Sequence, residues 1–135
     1  MNIAFFLTPK ALCAHLHADD TIRQALEKME NTGYEALPIL NDQGCYCGTL
    51  TCSDLLWGIK HICGMSMEQA EQHSITELPQ KRVYKEVSIT MQMRDLVRTA
   101  TLQNFVPVVD DKKTFIGIVT RQAIIKYCLE NYISE

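Results

Sequence analysis

The stretch GTLTCSD, residues 48–54, decides the fold because it recurs in altered form as GIVTRQA, residues 117–123. Each copy starts with a glycine, continues through residues that favour a β-strand, and reaches a threonine suited to cap a helix. The threonines, Thr51 and Thr120, lie 69 positions apart, and so do the two glycines. The chain is therefore predicted to make the same strand-to-helix corner twice.

Other landmarks repeat at the same distance. Pro38 in ALPIL corresponds to Pro107 in FVPVV, and Thr21 corresponds to Thr90, again with an offset of 69. Self-similarity at a fixed period indicates a duplicated structural unit. The predicted organisation is a first repeat over residues 1–58, a connector with some helix over 59–74, and a second repeat over 75–135.

Each repeat has the pattern strand, helix, strand, strand, helix. In the first, Asp20 or Thr21 can cap a helix whose apolar residues follow at helical spacing, and Gly33 can end it in a left-handed conformation. Short apolar runs at 36–40 and 46–51 then read as strands. We therefore predict an α/β fold of the α+β type, with two β-α-β-β-α repeats. A small sheet with two helices leaves one face open, so we expect the repeats to pack through their sheets with pseudo-twofold symmetry.

Composition excludes several classes of protein. The 135 residues carry a net charge of −3, and no basic cluster exceeds Gln80-Lys81-Arg82, which argues against nucleic acid as the partner. The apolar opening ends at Pro9 after about five residues, whereas a signal peptide needs about 7–15 and a membrane span about 20. We therefore expect no membrane association, a cytoplasmic location and six reduced cysteines.

The order, spacing and duplication of these motifs resemble a tandem pair of cystathionine-β-synthase (CBS) domains, often called a Bateman module. The stretches that carry the resemblance are DT at 20–21, ALPI at 36–39, GTLTCSD at 48–54, FVPVV at 105–109 and GIVT at 117–120. The resemblance implies a stand-alone regulatory module that has no reaction of its own and requires no cofactor. It also implies clefts that bind adenosine-containing ligands such as AMP, ADP, ATP or S-adenosylmethionine.

The resemblance assigns roles to two residues of the first copy. The acid that closes the motif, Asp54, would hold the ribose hydroxyls, and Thr51 would face the phosphates. The chemistry suits these roles, because an ionised carboxylate can accept two hydroxyls and a helix start favours an anion. Lys81 would reach a phosphate, and an aromatic ring could stack on adenine. The other residues expected around this cleft are Thr76, Tyr34, Ala36 and Phe105.

The second copy departs from the pattern. Ala123 stands where the acid is expected, and alanine cannot bind a ribose diol. We therefore expect a degenerate second cleft whose remaining polar residues are Thr120, Arg121 and Thr8. Glu35, beside the first cleft, would repel phosphates, which favours ligands with few phosphates or with a positive sulfonium.

A second interpretation is that the clefts are empty. Ser53 and Asp54 are both residue types that cap helices, so capping alone can explain the presence of Asp54. The chain would then be an interaction or dimerisation module. The resemblance implies a homodimer in either case, and Leu55-Leu56 and Ile124-Ile125 are candidate contact residues. The regulated client protein is not identified by any motif.

A thiol or metal sensor is a third interpretation. It rests on three pairs at i, i+2: His15 and His17, Cys45 and Cys47, and His61 and Cys63. The C-x₂₋₄-C spacing that is typical of zinc sites is absent, so we expect no metal. No cysteine has a general base in a recognisable context, so we expect no enzyme.

Overall fold

The computed structural model describes residues 1–134, which form two compact units. One unit is Ala14–Val83, and the other combines Met1–Cys13 with the chain from Tyr84 onward. The predicted β-α-β-β-α order occurs in each unit. The N-terminal residues, however, belong by their contacts to the second repeat, although the sequence analysis placed them in the first.

The order of the strands and helices along the chain shows the duplication. The strands are β1 (Thr8–Pro9), β2 (Leu16–His17), β3 (Ala36–Leu40), β4 (Tyr46–Thr51), β5 (Val87–Ser88), β6 (Phe105–Val109) and β7 (Phe115–Thr120). The α-helices are α1 (Ile22–Thr32), α2 (Cys52–His61), α3 (Met67–Gln72), α4 (Met93–Ala100) and α5 (Arg121–Tyr132). Short 3-10 helices occupy Ile3–Phe6, Lys10–Leu12 and Ile75–Glu77.

The Ala14–Val83 unit has a three-stranded sheet in the order β2-β3-β4. Strand β2 is parallel to β3, and β3 is antiparallel to β4. Apolar side chains from the sheet and from α1 and α2 meet in one core, in which Leu16, Ile22 and Leu50 are fully buried. The short helix α3 adds Ala70 to this core, so the predicted connector is part of the unit.

Helix α1 begins and ends as its sequence predicts. Thr21 is the N-cap, and it exchanges hydrogen bonds with Gln24 in a capping box. Asp20, the alternative cap, is instead buried, where it accepts a hydrogen bond from the His17 N–H and forms an ion pair with Lys28 at 2.9 Å. Gly33 ends the helix with a φ of 73°, in the left-handed region.

The other unit has a four-stranded sheet in the order β1-β7-β6-β5. Its extra strand, β1, comes from the N-terminus and pairs antiparallel with β7, with Thr8 opposite Ile118. Ile3, in the 3-10 helix before β1, is fully buried in the core of this unit beside Val106 and Val119. Strand pairing and core burial together explain why the N-terminal residues belong to this unit.

The close pairing of β1 with β7 leaves no room for a side chain at Gly117. A Cβ at this position would collide with the Thr8 carbonyl oxygen. We expect Gly117→Ala to lower the free energy of unfolding by about 3 kcal/mol or more, from overpacking added to backbone strain. Gly33→Ala is the matched control, since its φ is also positive but a Cβ there would meet open space. Gly33→Ala should lower the free energy of unfolding, measured by urea denaturation, by only about 1–2 kcal/mol. Equal losses would contradict the steric explanation.

Candidate functional site

The corner between β4 and α2 is held by two reciprocal hydrogen bonds. Thr51 Oγ1 accepts from the Asp54 N–H at 3.1 Å, and Asp54 Oδ2 accepts from the Thr51 N–H at 3.1 Å. Both residues are therefore placed by the backbone itself. The carboxylate also lies in the first turn of α2, close to the N-terminal end of the helix.

Asp54 keeps one oxygen available. Its side chain is buried, with 5% of the residue exposed, yet Oδ1 has no hydrogen-bond partner among residues 1–134. Asp54 also lines a cavity of about 150 Å³ that extends along α2. A carboxylate on a residue that lines a cavity, with one oxygen without a partner, can accept hydrogen bonds from a polar ligand.

Lys81 is the other predicted residue that lines this cavity. The remaining lining residues are Trp57, Gly58, His61, Ile62 and Pro79. Sequence reasoning did not assign Trp57 or His61 to the site, although both follow Asp54 at helical spacing, at i+3 and i+7. That spacing puts them on one face of α2 and is the signal that would have found them.

Tyr34 and Ala36 lie close to the same corner. Ala36 is opposite Thr51 in the register of β3 and β4, and the Tyr34 carbonyl accepts from Cys52 Sγ at 3.8 Å. The side chain of Tyr34 is largely exposed. Neither residue is among those that line the cavity beside Asp54.

Glu35 lies near Cys52, the first residue of α2. Desolvation raises the pKa of the Cys52 thiol, and Coulomb repulsion from Glu35 raises it further. The carboxylate is not among the residues that line the cavity.

Two predicted residues have other local partners. Thr76 lies in the 3-10 helix Ile75–Glu77, where its hydroxyl donates to Ser74 Oγ at 2.9 Å. Phe105 begins β6 in the other unit, where it is buried with its ring 5.1 Å from that of Tyr84. Their assignment to a ligand site therefore stays a prediction.

The equivalent corner of the other unit lacks the carboxylate. Thr120 Oγ1 accepts from the Ala123 N–H at 3.0 Å, so only half of the reciprocal pair is present. The Arg121 guanidinium donates through Nε to the Ala100 carbonyl at 2.8 Å, which ties it to the end of α4. Thr8 presents its backbone carbonyl to β7. This corner has no acid equivalent to Asp54.

The cysteines do not form a recognisable reactive centre. All six lie within the described residues, and all are free thiols. Desolvation is the largest influence on four of them, and it raises their pKa; these are Cys13, Cys47, Cys52 and Cys63. A raised pKa disfavours the thiolate, which is the nucleophilic and metal-binding form. Within residues 1–134, no group of three or more His, Cys, Asp or Glu side chains is arranged to hold a metal ion.

The repeated corner coincides with a known family pattern. A family model for the CBS domain matches the chain twice, over residues 13–61 and 81–130. The chain belongs to the CBS-domain family. The resemblance predicted from the repeated motifs is thereby confirmed, and each match covers one β-α-β-β-α repeat, the second ending within α5. A search among curated proteins finds no match to this sequence.

Solved CBS-domain structures have the same fold. A CbpB protein in complex with c-di-AMP aligns with a TM-score of 0.85 at 18% identity, over 96% of this chain and 85% of that chain. CbpB of Listeria monocytogenes, also in complex with c-di-AMP, aligns at 0.84 and 21% identity, over 95% of each chain. CBSX2 in complex with AMP aligns at 0.75 and 20% identity, over 96% of each chain. The predicted α/β fold is therefore confirmed.

The described part of the chain shows no transmembrane helix. None of the helices within residues 1–134 combines the length and the apolar character needed to cross a bilayer.

Restoring the missing acid should strengthen the second corner. We expect Ala123→Asp to raise the free energy of unfolding by about 0.5 kcal/mol, because a carboxylate in the first turn of α5 interacts favourably with the helix dipole. Ala123→Asn has nearly the same shape without the charge and is the control. Urea denaturation of both variants measures the difference. A destabilised Asp variant would show that the two corners are not equivalent.

Proposed function

We propose that this CBS-domain chain is a regulatory module that binds an adenine nucleotide or a related adenosyl ligand at Asp54. The observation that carries the proposal is the Asp54 carboxylate, which belongs to a residue that lines a cavity, uses Oδ2 for the helix cap and leaves Oδ1 without a partner among the described residues. A ribose offers two adjacent hydroxyl donors, and a carboxylate accepts both well. CbpB with c-di-AMP and CBSX2 with AMP support the class of ligand.

The proposed role is regulatory and not catalytic. The cavity beside Asp54 contains one carboxylate, one lysine and one histidine among its lining residues, with no nucleophile paired to a base. A ligand can act on a partner only through different affinities for two states of the module. Binding at Asp54 would therefore change the contacts that the module makes with another copy or with a client protein.

We further propose a homodimer through α5. Ile125, Leu129 and Tyr132 are all more than half exposed, and they recur at i, i+4 and i+7. This spacing makes an apolar stripe on one face of the helix, about 100° around the helix axis from the buried Ile124. An exposed apolar stripe of this kind suits a second copy, since an isologous contact joins the same surface of both subunits. Of the two candidate contact residues in α2, Leu56 is 54% exposed, whereas Leu55 is buried.

A module without a ligand is the second candidate. Asp54 already has a structural role, since its Oδ2 completes the capping box of α2. Capping would explain the residue even if the cavity stayed empty. The two candidates differ in whether a nucleotide binds, and therefore in a quantity that can be measured directly.

The first test separates binding from capping. We expect Asp54→Ala to weaken the binding of AMP or c-di-AMP by about 10–100-fold in isothermal titration calorimetry, since hydrogen bonds to a charged group contribute about 1.5–3 kcal/mol. Gln24→Ala is the matched control, because it removes the same capping position from α1. It should lower the melting temperature by a similar amount and leave affinity unchanged. If the wild type binds neither nucleotide, the ligand-free module is favoured.

The second test concerns the dimer. We expect the wild type to have twice the 15.4 kDa chain mass in sedimentation velocity, and Leu129→Glu to sediment as a monomer because a buried charge disfavours the contact. Leu102→Glu is the control, since Leu102 is 73% exposed and lies outside α5. A monomeric wild type at high concentration would contradict the proposal.

A further inference from the structure

Gly58 lies in the interior of α2, where glycine is an unfavourable residue. Inside a helix, glycine loses more conformational freedom than other residues and contributes no side chain to packing. The φ of Gly58 is not positive, so a left-handed backbone does not explain the glycine. Gly58 is nonetheless buried, and it lines the cavity beside Asp54. A neighbour that leaves no space for a side chain is the remaining structural reason for a glycine here.

That neighbour is Leu78, which directly follows the 3-10 helix Ile75–Glu77. A Cβ on Gly58 would collide with Leu78 Cδ2, and it would lie 3.4 Å from Cγ and 3.7 Å from Cδ1. Leu78 is buried, with 6% of the residue exposed, in the core of the Ala14–Val83 unit. One methyl group of Leu78 therefore occupies the space that a side chain at position 58 would fill. We call this contact the glycine notch.

The glycine notch holds the stretch of chain that borders the cavity. Pro79 and Lys81 follow Leu78, and both line the cavity along α2. Within residues 76–83, all of which the structure describes, Leu78 is the one buried residue. The Lys81 ammonium lies 5.4 Å from the centroid of the Trp57 ring, which lines the same cavity. The places of Pro79 and Lys81 beside the cavity therefore depend on the packing of Leu78.

A second glycine contact in the same stretch is weaker. A Cβ on Gly48 would lie 2.9 Å from Gln80 Nε2, which is the end of a flexible side chain. Such a side chain can rotate away at little cost, whereas Leu78 is confined by the surrounding core. The contact between Gly58 and Leu78 is therefore the one that fixes where this stretch lies.

We propose that Gly58 and Leu78 are positioning residues for the ligand bound at Asp54. They act through the chain that follows Leu78, because the glycine notch sets its distance from α2 and with it the width of the cavity. A side chain at position 58 would push Leu78 away and displace Pro79 and Lys81 from the cavity. This inference rests on the proposed function and adds two residues that lie outside the repeated motif.

The first test needs no ligand, because Trp57 is the single tryptophan of the chain and lines the cavity. Its fluorescence reports how well the neighbouring chain shields the indole from acrylamide, a neutral quencher. We expect Gly58→Ala to raise the Stern–Volmer constant about twofold, since overpacking displaces that chain. The double variant Gly58→Ala/Leu78→Val should return the constant close to the wild-type value. Valine lacks the colliding Cδ2, and the Cγ position lies 3.4 Å from the added Cβ.

The second test measures the effect on the ligand. In isothermal titration calorimetry, Gly58→Ala should bind AMP about tenfold more weakly than the wild type, and the double variant should recover to within about twofold. Ile22→Val is the control, because it removes a methyl group from the same core and leaves the glycine notch intact. It should lower the melting temperature and change neither quenching nor affinity.

The two measurements separate this inference from the proposed function. Unchanged quenching in folded Gly58→Ala, or no recovery in the double variant, would show that Leu78 does not position the following chain. Altered quenching with unchanged AMP affinity would overturn the role in ligand binding. A wild type that binds no AMP would overturn the proposed function and that role together, while quenching would still test the glycine notch.

A further variant keeps the test open if Gly58→Ala does not fold. Leu78→Ala introduces no collision and removes the side chain that fills the glycine notch. It should raise the acrylamide quenching of Trp57 by releasing the chain that follows. Quenching at the wild-type value would contradict the inference.

Discussion

The reciprocal hydrogen bonds between Thr51 and Asp54 are the contact on which the arrangement of the site depends. They turn the end of a strand into the start of a helix within three residues, so both side chains are placed by the backbone and not by remote packing. The places of Trp57 and His61 along the cavity then follow from the direction of that helix. A site built on such a corner is preorganised, because little conformational freedom is left to lose when a ligand binds.

The two corners share a threonine that caps the following helix, but only the first corner has a carboxylate. Thr120 still caps α5, so the second corner keeps its shape without an acid. Arg121 contributes to that shape by reaching the last turn of α4. The hydroxyl therefore suffices for the fold, and the carboxylate is an addition that only the first corner has. This difference between the corners supports the proposal that Asp54 has a role beyond capping.

The helices and the longer strands could be predicted because their signals are local. The capping residue Thr21, the left-handed Gly33 and the apolar runs of β3 and β6 each report on neighbouring backbone. The assignment of β1 could not be predicted, since a two-residue strand has no periodicity and its pairing with β7 spans more than one hundred residues. The proximity of Lys81 to Trp57 is likewise a non-local contact that no spacing rule contains. The predicted cleft residues Asp54 and Lys81 meet at one cavity, whereas Arg121 has a structural partner.

The placement of Met1–Cys13 in the unit completed by the chain from Tyr84 onward has a consequence for how the protein is made. During synthesis, β1 is made before the Ala14–Val83 unit, whereas its partner strand β7 is made after that unit. The Ala14–Val83 unit can complete its own sheet in the meantime. Ile3 and Phe6, which are buried in the folded protein, remain exposed to solvent until β7 has been synthesised. The apolar side chains of Ile3 and Phe6 therefore stay exposed while the whole Ala14–Val83 unit is synthesised, which makes this segment a natural point of contact for chaperones.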